Sequence, residues 1–229
     1  MTSSQKVIKY FALGLAALIV VGILSGIVFG GLGVLTATGV IKAETHLEDN
    51  CNDSDGPCLL VAMAHSKLEI KHGDKFLAEA EEDEAEIKQD GNKMEVVEKG
   101  GFNLFNMKHH GTITIYVPDD MVFKKAGISG GMGEIKVDGL QAEHLDVSLG
   151  IGEATFTNLT VNNAEFDCGI GSIRVGLANK ADDYTIRVSK GIGDIEFNDK
   201  KIKNNATLGN GNHSIDISGG IGEIIINTR

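Results

Sequence analysis

The sequence predicts an all-β domain, a mainly parallel β-solenoid of units of about 19 residues, preceded by one N-terminal transmembrane α-helix. Two observations predict this class. A pattern of twelve residues recurs five times in the C-terminal half, and a run of 31 residues without charge extends from Phe11 to Ile41. Repeats at a short period are typical of solenoids, because a unit that cannot bury its own apolar face must stack on its neighbours.

The uncharged run predicts a membrane anchor. It exceeds both the roughly 7–15 apolar residues of a cleavable signal peptide and the roughly 20 residues needed to cross a bilayer. Lys6 and Lys9 precede it, which predicts a cytoplasmic segment over 1–10, a helix over 11–41 and an exported remainder. Small residues at 37–39 leave cleavage open, although the length of the run favours an uncleaved anchor.

Three glycines recur at every fourth position of the run and would share one helix face: Gly22, Gly26 and Gly30. That spacing suits the close packing of two membrane helices. The alternative is that these residues have no special role, since glycine is common in membrane helices.

Composition agrees with an exported domain that does not bind nucleic acid. All 32 acidic residues and 19 of the 21 basic residues follow the uncharged run, which leaves a formal charge of −13 beyond it. An acidic surface repels nucleic acid and anionic lipid head groups. The chain also has no tryptophan and few aromatic residues, which argues against a base-stacking or sugar-binding platform.

Residues 42–58 are predicted to form a stalk that holds two of the three cysteines. Cys51 and Cys58 flank the turn-forming stretch NDSDGP, and in an oxidising location they would close a small loop. Two free thiols in a flexible stalk are the alternative. Cys168 lies within the repeats, where a small buried residue without chemistry is expected.

Each repeat combines an alternating strand, a Gly-x-Gly turn with an apolar middle residue, a polar residue and a second alternating strand. Glycine on both sides allows a sharp bend or a positive φ, which we expect to keep the middle side chain pointing into the core. The repeats, numbered 1 to 5 in chain order, are Ala126–Val137, Leu145–Phe156, Ala164–Val175, Ile186–Phe197 and Ile215–Ile226. Their turn glycines are Gly131 and Gly133, Gly150 and Gly152, Gly169 and Gly171, Gly191 and Gly193, and Gly220 and Gly222.

Three apolar columns run through the repeats and predict the core. They lie three places before, four places after and six places after the first turn glycine, and they include Phe166 and Phe197. Lys136 and Arg174 alternate with the columns, so they are expected to face water and to tolerate alanine. An antiparallel meander with the same corners is the structural alternative.

The parts of the chain beside the repeats predict how the stack begins and ends. The first turn glycines are spaced by 19, 19, 22 and 29 residues, so the longer gaps are expected to be enlarged turns on one edge. The region from Leu59 to Phe123 contains strands broken by Gly-Asp, Asp-Gly and Pro turns, and is expected to supply the first coils and a cap. Only three residues follow Ile226, so the last coil of this solenoid, over residues 59–229, is expected to be uncovered.

The residue after each Gly-x-Gly forms a column that is acidic in four of the five repeats: Glu134, Glu153, Ser172, Asp194 and Glu223. Like charges one strand spacing apart repel, so Glu134 and Glu153 are weak candidates for a divalent-cation site. Solvated surface acids are the alternative. No cofactor is predicted, because the repeats lack the Asp ligand of calcium-binding nonapeptides and the third glycine of a dinucleotide fingerprint.

The order of these features resembles a known family. The stretch Ile113–Met121 (ITIYVPDDM), followed by the five Gly-x-Gly units, is similar to the bacterial domain family of unknown function labelled "putative adhesin" and to the head domain of auto-transporter adhesins. The resemblance covers Leu59 to the end of the chain. It implies a β-solenoid-like fold without catalytic residues, in exported or membrane-anchored proteins of Gram-positive bacteria, some encoded with regulators of envelope stress.

The sequence therefore predicts a non-enzymatic binding module, anchored in the cell membrane with its N-terminus cytoplasmic and its C-terminal domain extracytoplasmic. Its expected partner is a protein or a cell-wall polymer. The alternative is an accessory or regulatory protein of a cell-envelope stress response that acts through contacts of its membrane helix.

Overall fold

The computed structural model describes residues 56–81, 84–99 and 111–229. The predicted membrane helix over 11–41 and most of the stalk, including Cys51, lie outside the described residues. Among the residues that are described, no helix is long and apolar enough to span a membrane. Cys58 is disulfide-bonded, and its pairing with Cys51 stays a prediction.

Twelve β-strands and one 3-10 helix make up the described chain, and the strands join one sheet, which confirms the all-β class. The strands are β1 (Cys58–Met63), β2 (Lys67–His72), β3 (Leu77–Glu79), β4 (Ala85–Asp90), β5 (Lys93–Glu98), β6 (Thr112–Val117), β7 (Phe123–Asp138), β8 (Gln141–Leu177), β9 (Tyr184–Phe197), β10 (Lys200–Lys201), β11 (Ala206–Leu208) and β12 (His213–Asn227). The 3-10 helix is Ala181–Asp183.

The strands wind into parallel coils, because each repeat presents the same apolar columns to its neighbours. Repeat 1 lies in β7, repeats 2 and 3 in β8, repeat 4 in β9 and repeat 5 in β12. β7 pairs with β8 in parallel, with Ile128 opposite Val147 and Ile135 opposite Ala154. The three columns are buried except at Phe197, which is partly buried. The parallel stacking is therefore confirmed, and the antiparallel meander is wrong.

The turn between repeats contributes a further inward-facing segment to each coil. Leu140 and Ala142 are buried after repeat 1, and Leu159 and Val161 are buried after repeat 2. Backbone hydrogen bonds stack these turns, as in the bond from the Thr160 N–H to the Leu140 carbonyl at 3.0 Å. The repeat pattern predicts two strands in each unit, but the coils have three inward-facing sides.

The order of the coils in space differs from their order in the chain. β12 pairs with β8 on one side and with β9 on the other, so repeat 5 lies between repeats 3 and 4. The prediction of an uncovered C-terminal coil is wrong, because β12 is an internal strand. The spacing of 29 residues between Gly191 and Gly220 reflects this path, since the chain first forms the end coil with repeat 4 and then returns to place repeat 5 beside repeat 3.

A reversed segment over residues 198–212, which we name the end cap, covers the coil formed by β9. Its strands β10 and β11 run antiparallel to β9, with Lys201 opposite Glu196 and Thr207 opposite Arg187. Between these strands, the Asn204 side-chain oxygen accepts a hydrogen bond from the backbone N–H of Lys190 at 2.7 Å, and its amide donates to the carbonyl of the same residue. The Asn204 side chain therefore hydrogen-bonds to the backbone of β9 at the corner, as a residue of a paired strand would.

The other end of the stack is closed in the same way. β5 and β6 form the outermost coil, although β1 and β2 precede them in the chain and lie inside them. β3 and β4 run antiparallel to β6 and β5. Between them, the Glu84 carboxylate accepts a hydrogen bond from the Gly111 N–H at 2.9 Å. The prediction that residues 59–123 supply the first coils and a cap is thus confirmed.

Glu98 closes the corner between β1 and β2, a role that the sequence does not reveal. One oxygen of its buried carboxylate accepts hydrogen bonds from the N–H groups of Ala64, His65 and Ser66 at 2.7, 3.0 and 3.1 Å. The other oxygen lies 2.8 Å from Nδ1 of His65. Burial by itself would raise the pKa of Glu98, but the hydrogen bonds from His65 and the three N–H groups lower the pKa below its ordinary value.

We expect acid to destabilise the domain through Glu98. A carboxyl whose pKa is lowered by folding stabilises the folded state above its unfolded pKa of about 4.3, and this contribution is lost as pH falls through the folded pKa. Glu98→Gln should therefore lower the Tm at neutral pH and weaken the fall of Tm below about pH 4. Thermal unfolding by circular dichroism checks this, with the exposed Glu79→Gln as the control. The same acid response in Glu98→Gln and the unmodified protein would contradict the role.

Candidate interaction surface

The Gly-x-Gly turns lie along one edge of the stack, because the coils are parallel and in register. In repeat 2, a Cβ on Gly150 would lie 2.5 Å from the carbonyl oxygen of Gly131. A Cβ on Gly152 would lie 1.9 Å from the carbonyl oxygen of Gly133, and Gly152 has a φ of 145°. Close stacking therefore requires both glycines, and the positive φ favours glycine again at the second position.

The middle residues of these turns point away from the core. Ile192 is 66% exposed, Ile151 is 48% exposed and Ile221 is 47% exposed. Met132 and Ile170 are partly exposed. The prediction that the middle side chain stays in the core is therefore wrong.

The residue before the first glycine takes the inward place at the corner. Leu149 and Cys168 are buried there, and the positive φ of the second glycine then turns the chain before the next inward residue. Burial also raises the pKa of the Cys168 thiol, in keeping with a residue without chemistry.

Repeat 4 places a lysine in this inward column, which the sequence pattern did not reveal. Lys190 is 8% exposed, and its Nζ donates to the carbonyl oxygens of Asp194, at 2.9 Å, and Gly222. Burial lowers the pKa of Lys190, although the charges of Asp194 and Glu223 oppose this. The lysine thus supplies hydrogen-bond donors to backbone carbonyls beside the end coil.

We name the line of outward apolar side chains the corner ridge; in spatial order it comprises Met132, Ile151, Ile170, Ile221 and Ile192. Strand pairing sets these side chains in register, with Met132 opposite Ile151 and with Ile221 between Ile170 and Ile192. Adjacent coils lie about 4.8 Å apart, so the ridge is about 19 Å long. It is a continuous line of apolar side chains along one corner of the stack.

A charged row runs beside the corner ridge. The residues after the turns are, in spatial order, Glu134, Glu153, Ser172, Glu223 and Asp194, and each acid in this row has a cationic partner. Lys136 Nζ lies 2.5 Å from Glu134, and Lys201 Nζ lies 2.8 Å from Asp194. The ridge is therefore bordered by paired charges of both signs.

Arg174 joins the two acids on either side of Ser172. Its guanidinium forms ion pairs with Glu153 and, at 3.3 Å, with Glu223. The short serine leaves the space between the two carboxylates to the guanidinium, which lies 3.4 Å from the serine oxygen. The one position in the row without an acid thus receives the cation that offsets its neighbours.

We expect Arg174→Ala to cost more stability than Lys136→Ala, whereas the sequence alone predicts the same small effect for both. Arg174 bridges acids of two other coils, so its loss should lower the free energy of unfolding by about 1 kcal/mol. Lys136 pairs with Glu134 of its own coil, and its loss should cost no more than about 0.5 kcal/mol. Urea unfolding at low and at high salt measures both, since salt should reduce the Arg174 effect. Equal, salt-independent effects would contradict the bridge.

The cation site suggested for Glu134 and Glu153 competes with these ion pairs. Glu134 is bonded by Lys136 and lies 3.5 Å from Lys67, while Glu153 is bonded by Arg174. Hydrogen bonding from Lys136 lowers the pKa of Glu134. Across the described residues, no group of three or more His, Cys, Asp or Glu side chains is placed to hold a metal ion.

We therefore expect millimolar calcium to leave the Tm of the domain unchanged relative to sodium at the same ionic strength. Two carboxylates that already have cationic partners offer calcium too few free oxygen ligands. A thermal melt in the two salts measures the difference. A higher Tm in calcium, lost in Glu134→Gln but kept in Glu143→Gln, would show a cation site.

The corner ridge and the start of the described chain lie at opposite ends of the side of the coil that β1 forms. β1 begins at Cys58, next to Pro57, and reaches the corner at Ala64 after six extended residues, or about 20 Å. Since the coils are parallel, their turns share that end.

A family model and solved structures of other proteins match this chain. The family model described as Toastrack DUF4097 matches residues 61–227. The chain is similar to the crystal structure of a "putative cell adhesion protein" from Clostridium sporogenes ATCC 15579, with 20% identity, a TM-score of 0.60, and coverage of 78% of this chain and 95% of that one. No curated protein matches the chain.

A second solved structure is less similar. It is a "putative adhesin" from Bacteroides fragilis NCTC 9343, with 12% identity, a TM-score of 0.33, and coverage of 76% of this chain and 94% of that one. The family model covers most of the chain and includes all five Gly-x-Gly turns, as the sequence resemblance predicted. The chain belongs to the Toastrack DUF4097 family, a family of unknown function.

Proposed function

We propose that this protein is a non-enzymatic binding module of the cell envelope that contacts a protein partner through the corner ridge. The observation that carries the proposal is the exposure of Ile151, Ile192 and Ile221 along one corner of the stack. Large apolar side chains that the core does not use are typical of interaction sites when they form a continuous patch.

The chemistry of the ridge favours a protein over a cell-wall polymer as the partner. A line of one methionine and four isoleucine side chains gains free energy when an apolar groove covers it, whereas a hydroxylated or anionic polymer offers little apolar surface. Beside the ridge, the row of paired charges presents both signs, which adds specificity more than affinity. The "putative cell adhesion protein" of similar fold is compatible with a binding role.

Anchoring in the membrane is part of the proposal. It is supported by the uncharged run over residues 11–41 and by Lys6 and Lys9 before it.

The experiment compares capture by the immobilised exported domain, its double variant Ile151→Asn/Ile221→Asn, and Val122→Asn. Val122 is 46% exposed but lies outside the ridge, so it is a matched control for the loss of an exposed apolar side chain. Envelope extracts are passed over each, and the bound protein is identified and titrated. We expect the ridge variant to lose the bound protein while the control keeps it. Equal capture by all three forms, or capture of polymer alone, would contradict the proposal.

The second candidate function is regulation through the membrane helix. The glycines at 22, 26 and 30 favour it, because they would share one helix face. Replacing 11–41 by an unrelated membrane helix separates the two functions. A binding module keeps its partner after the exchange, whereas a regulator that acts through the helix loses its effect on the envelope stress response.

A further inference from the structure

The strand β1 is buried on both of its faces, unlike the other strands on its side of the coils. One set of alternate residues belongs to the core: Leu59, Val61 and Met63. The other set faces outward, yet Cys58 is 0% exposed, Leu60 is 3% exposed and Ala62 is 8% exposed. We name these three outward residues the strap face.

The strap face is apolar where the neighbouring coils are polar. Leu60 lies beside Gly127 and Ala62 beside Ser129 in the parallel pairing of β1 with β7. At the same outward positions of β8 the side chains are polar and exposed: Asp146, Ser148, Glu165 and Asp167. A Cβ on Gly127 would lie 3.0 Å from Cδ2 of Leu60, so the glycine leaves room for the leucine. Neighbouring strands stand beside this leucine and not over it, so its burial requires a cover on the outward side.

The charges around the strap face identify the chemistry of that cover. Cys58 lies in register with Lys93 on one side and with Lys125 on the other. Lys125 also lies 4.0 Å from Asp146. A segment that is acidic and carries an apolar residue therefore complements the face better than a basic one.

The stalk before β1 has this composition. Residues 42–55 include five acids and one lysine, with Leu47 among them, and they lead directly into Cys58. Cys58 is disulfide-bonded and Cys168 is free, which leaves Cys51 as the remaining cysteine of the chain. From Cys51, the nine residues 42–50 span about 30 Å when extended, which exceeds the roughly 20 Å of β1. Residues 100–110, by contrast, contain a lysine and no acid.

We propose that residues 42–55 bind along the strap face as an acidic strap, joined to it by a Cys51–Cys58 disulfide. Leu47 supplies the apolar contact with Leu60, and the acids of the stalk offset the charges of Lys93 and Lys125. The strap closes this face to other partners. The inference does not depend on the corner ridge or on the function proposed for it.

The test follows cleavage of the stalk in the full chain in detergent. A glutamate-specific protease cuts after Glu44 and Glu48, and mass spectrometry of the products gives the rate at each site. The variant Leu60→Asp/Ala62→Asp places two charges on the strap face. Ser148→Asp/Ser218→Asp, at exposed outward positions of other coils, is the matched control.

We expect the strap-face variant to be cut in the stalk about tenfold faster than the unmodified chain, because buried charges release the strap, whereas the control keeps the unmodified rate. A strap-face variant with the unmodified circular dichroism spectrum and the unmodified rate of cleavage would overturn the proposal.

A second variant tests the charges, and it serves alone if the first does not fold. Lys93→Glu/Lys125→Glu should also be cut faster in the stalk, whereas Lys180→Glu/Lys200→Glu, with the same change of charge at exposed sites, should not. High salt should reduce the difference. Equal rates in both charge variants at low salt would overturn the proposal.

The same variants identify a different occupant if the strap is wrong. Chymotrypsin cuts after Phe102 and Phe105, so it reports on residues 100–110. Faster cleavage there in Leu60→Asp/Ala62→Asp, with unchanged cleavage of the stalk, would assign the strap face to residues 100–110 and overturn the proposal.

Discussion

Gly171→Ala is expected to prevent stable folding, with a loss of more than about 4 kcal/mol in the free energy of unfolding. A Cβ at this position would lie 1.7 Å from the carbonyl oxygen of Gly152 and 2.7 Å from its carbonyl carbon. Both atoms belong to the backbone of the neighbouring coil, so no flexible side chain can move aside. Gly171 also has a φ of 142°, which residues with a Cβ rarely adopt. Urea unfolding, or the absence of cooperative unfolding, measures the effect.

Gly91→Ala is the matched control, because it separates the backbone conformation from the close approach. Gly91 has a φ of 56°, but no atom lies within 4 Å of the place where its Cβ would be. Its substitution should cost about 1–2 kcal/mol, the price of a left-handed conformation alone. Similar losses at the two glycines would show that the coils do not approach as closely at the turns as described.

Phe166→Ala is the second substitution with a large expected effect. Phe166 is 1% exposed, and its ring packs edge-on against Phe156 with the centroids 5.0 Å apart. Truncation removes this contact and leaves a cavity inside the stack, with coils on both sides that cannot close it. The free energy of unfolding should fall by about 3–5 kcal/mol, as measured by chemical denaturation.

Phe197 provides the comparison within the same protein. The sequence columns predict equal burial for the two phenylalanines, but Phe197 is only partly buried, because β9 forms the end coil and only the short strand β10 covers it there. Phe197→Ala should therefore cost clearly less than Phe166→Ala, about 1–2 kcal/mol. If the two variants were equally unstable, repeat 4 would have to lie inside the stack.

The columns of apolar residues predicted the parallel stacking, since each repeat offers the same inward face to a neighbour. For that very reason they did not predict the order of the coils. Ile217 of repeat 5 pairs as well with Val188 of repeat 4 as with Phe166 of repeat 3, so apolar pattern alone cannot distinguish the two neighbours. Only the long gap between Phe197 and His213 indicates that the chain passes one position and returns.

The corner ridge was missed because strict alternation was extended through the turn. Alternation holds up to Leu149, but Ile151 faces solvent at the corner, and the positive φ of Gly152 then turns the chain into the second strand. Glu98 was missed for another reason. Its partners are the backbone N–H groups of Ala64–Ser66, more than 30 residues away, and neither residue type nor local spacing signals such contacts.

Two ends closed by matching reversed segments have a consequence for the length of the molecule. Neither closing segment is part of the repeats, so the coils between them are interchangeable in number. Each 19-residue unit, such as residues 145–163, adds one rise of about 4.8 Å and one apolar side chain to the ridge. Gene duplication or loss of one unit would therefore change the length of the stack and of the corner ridge, while both closing segments stay the same.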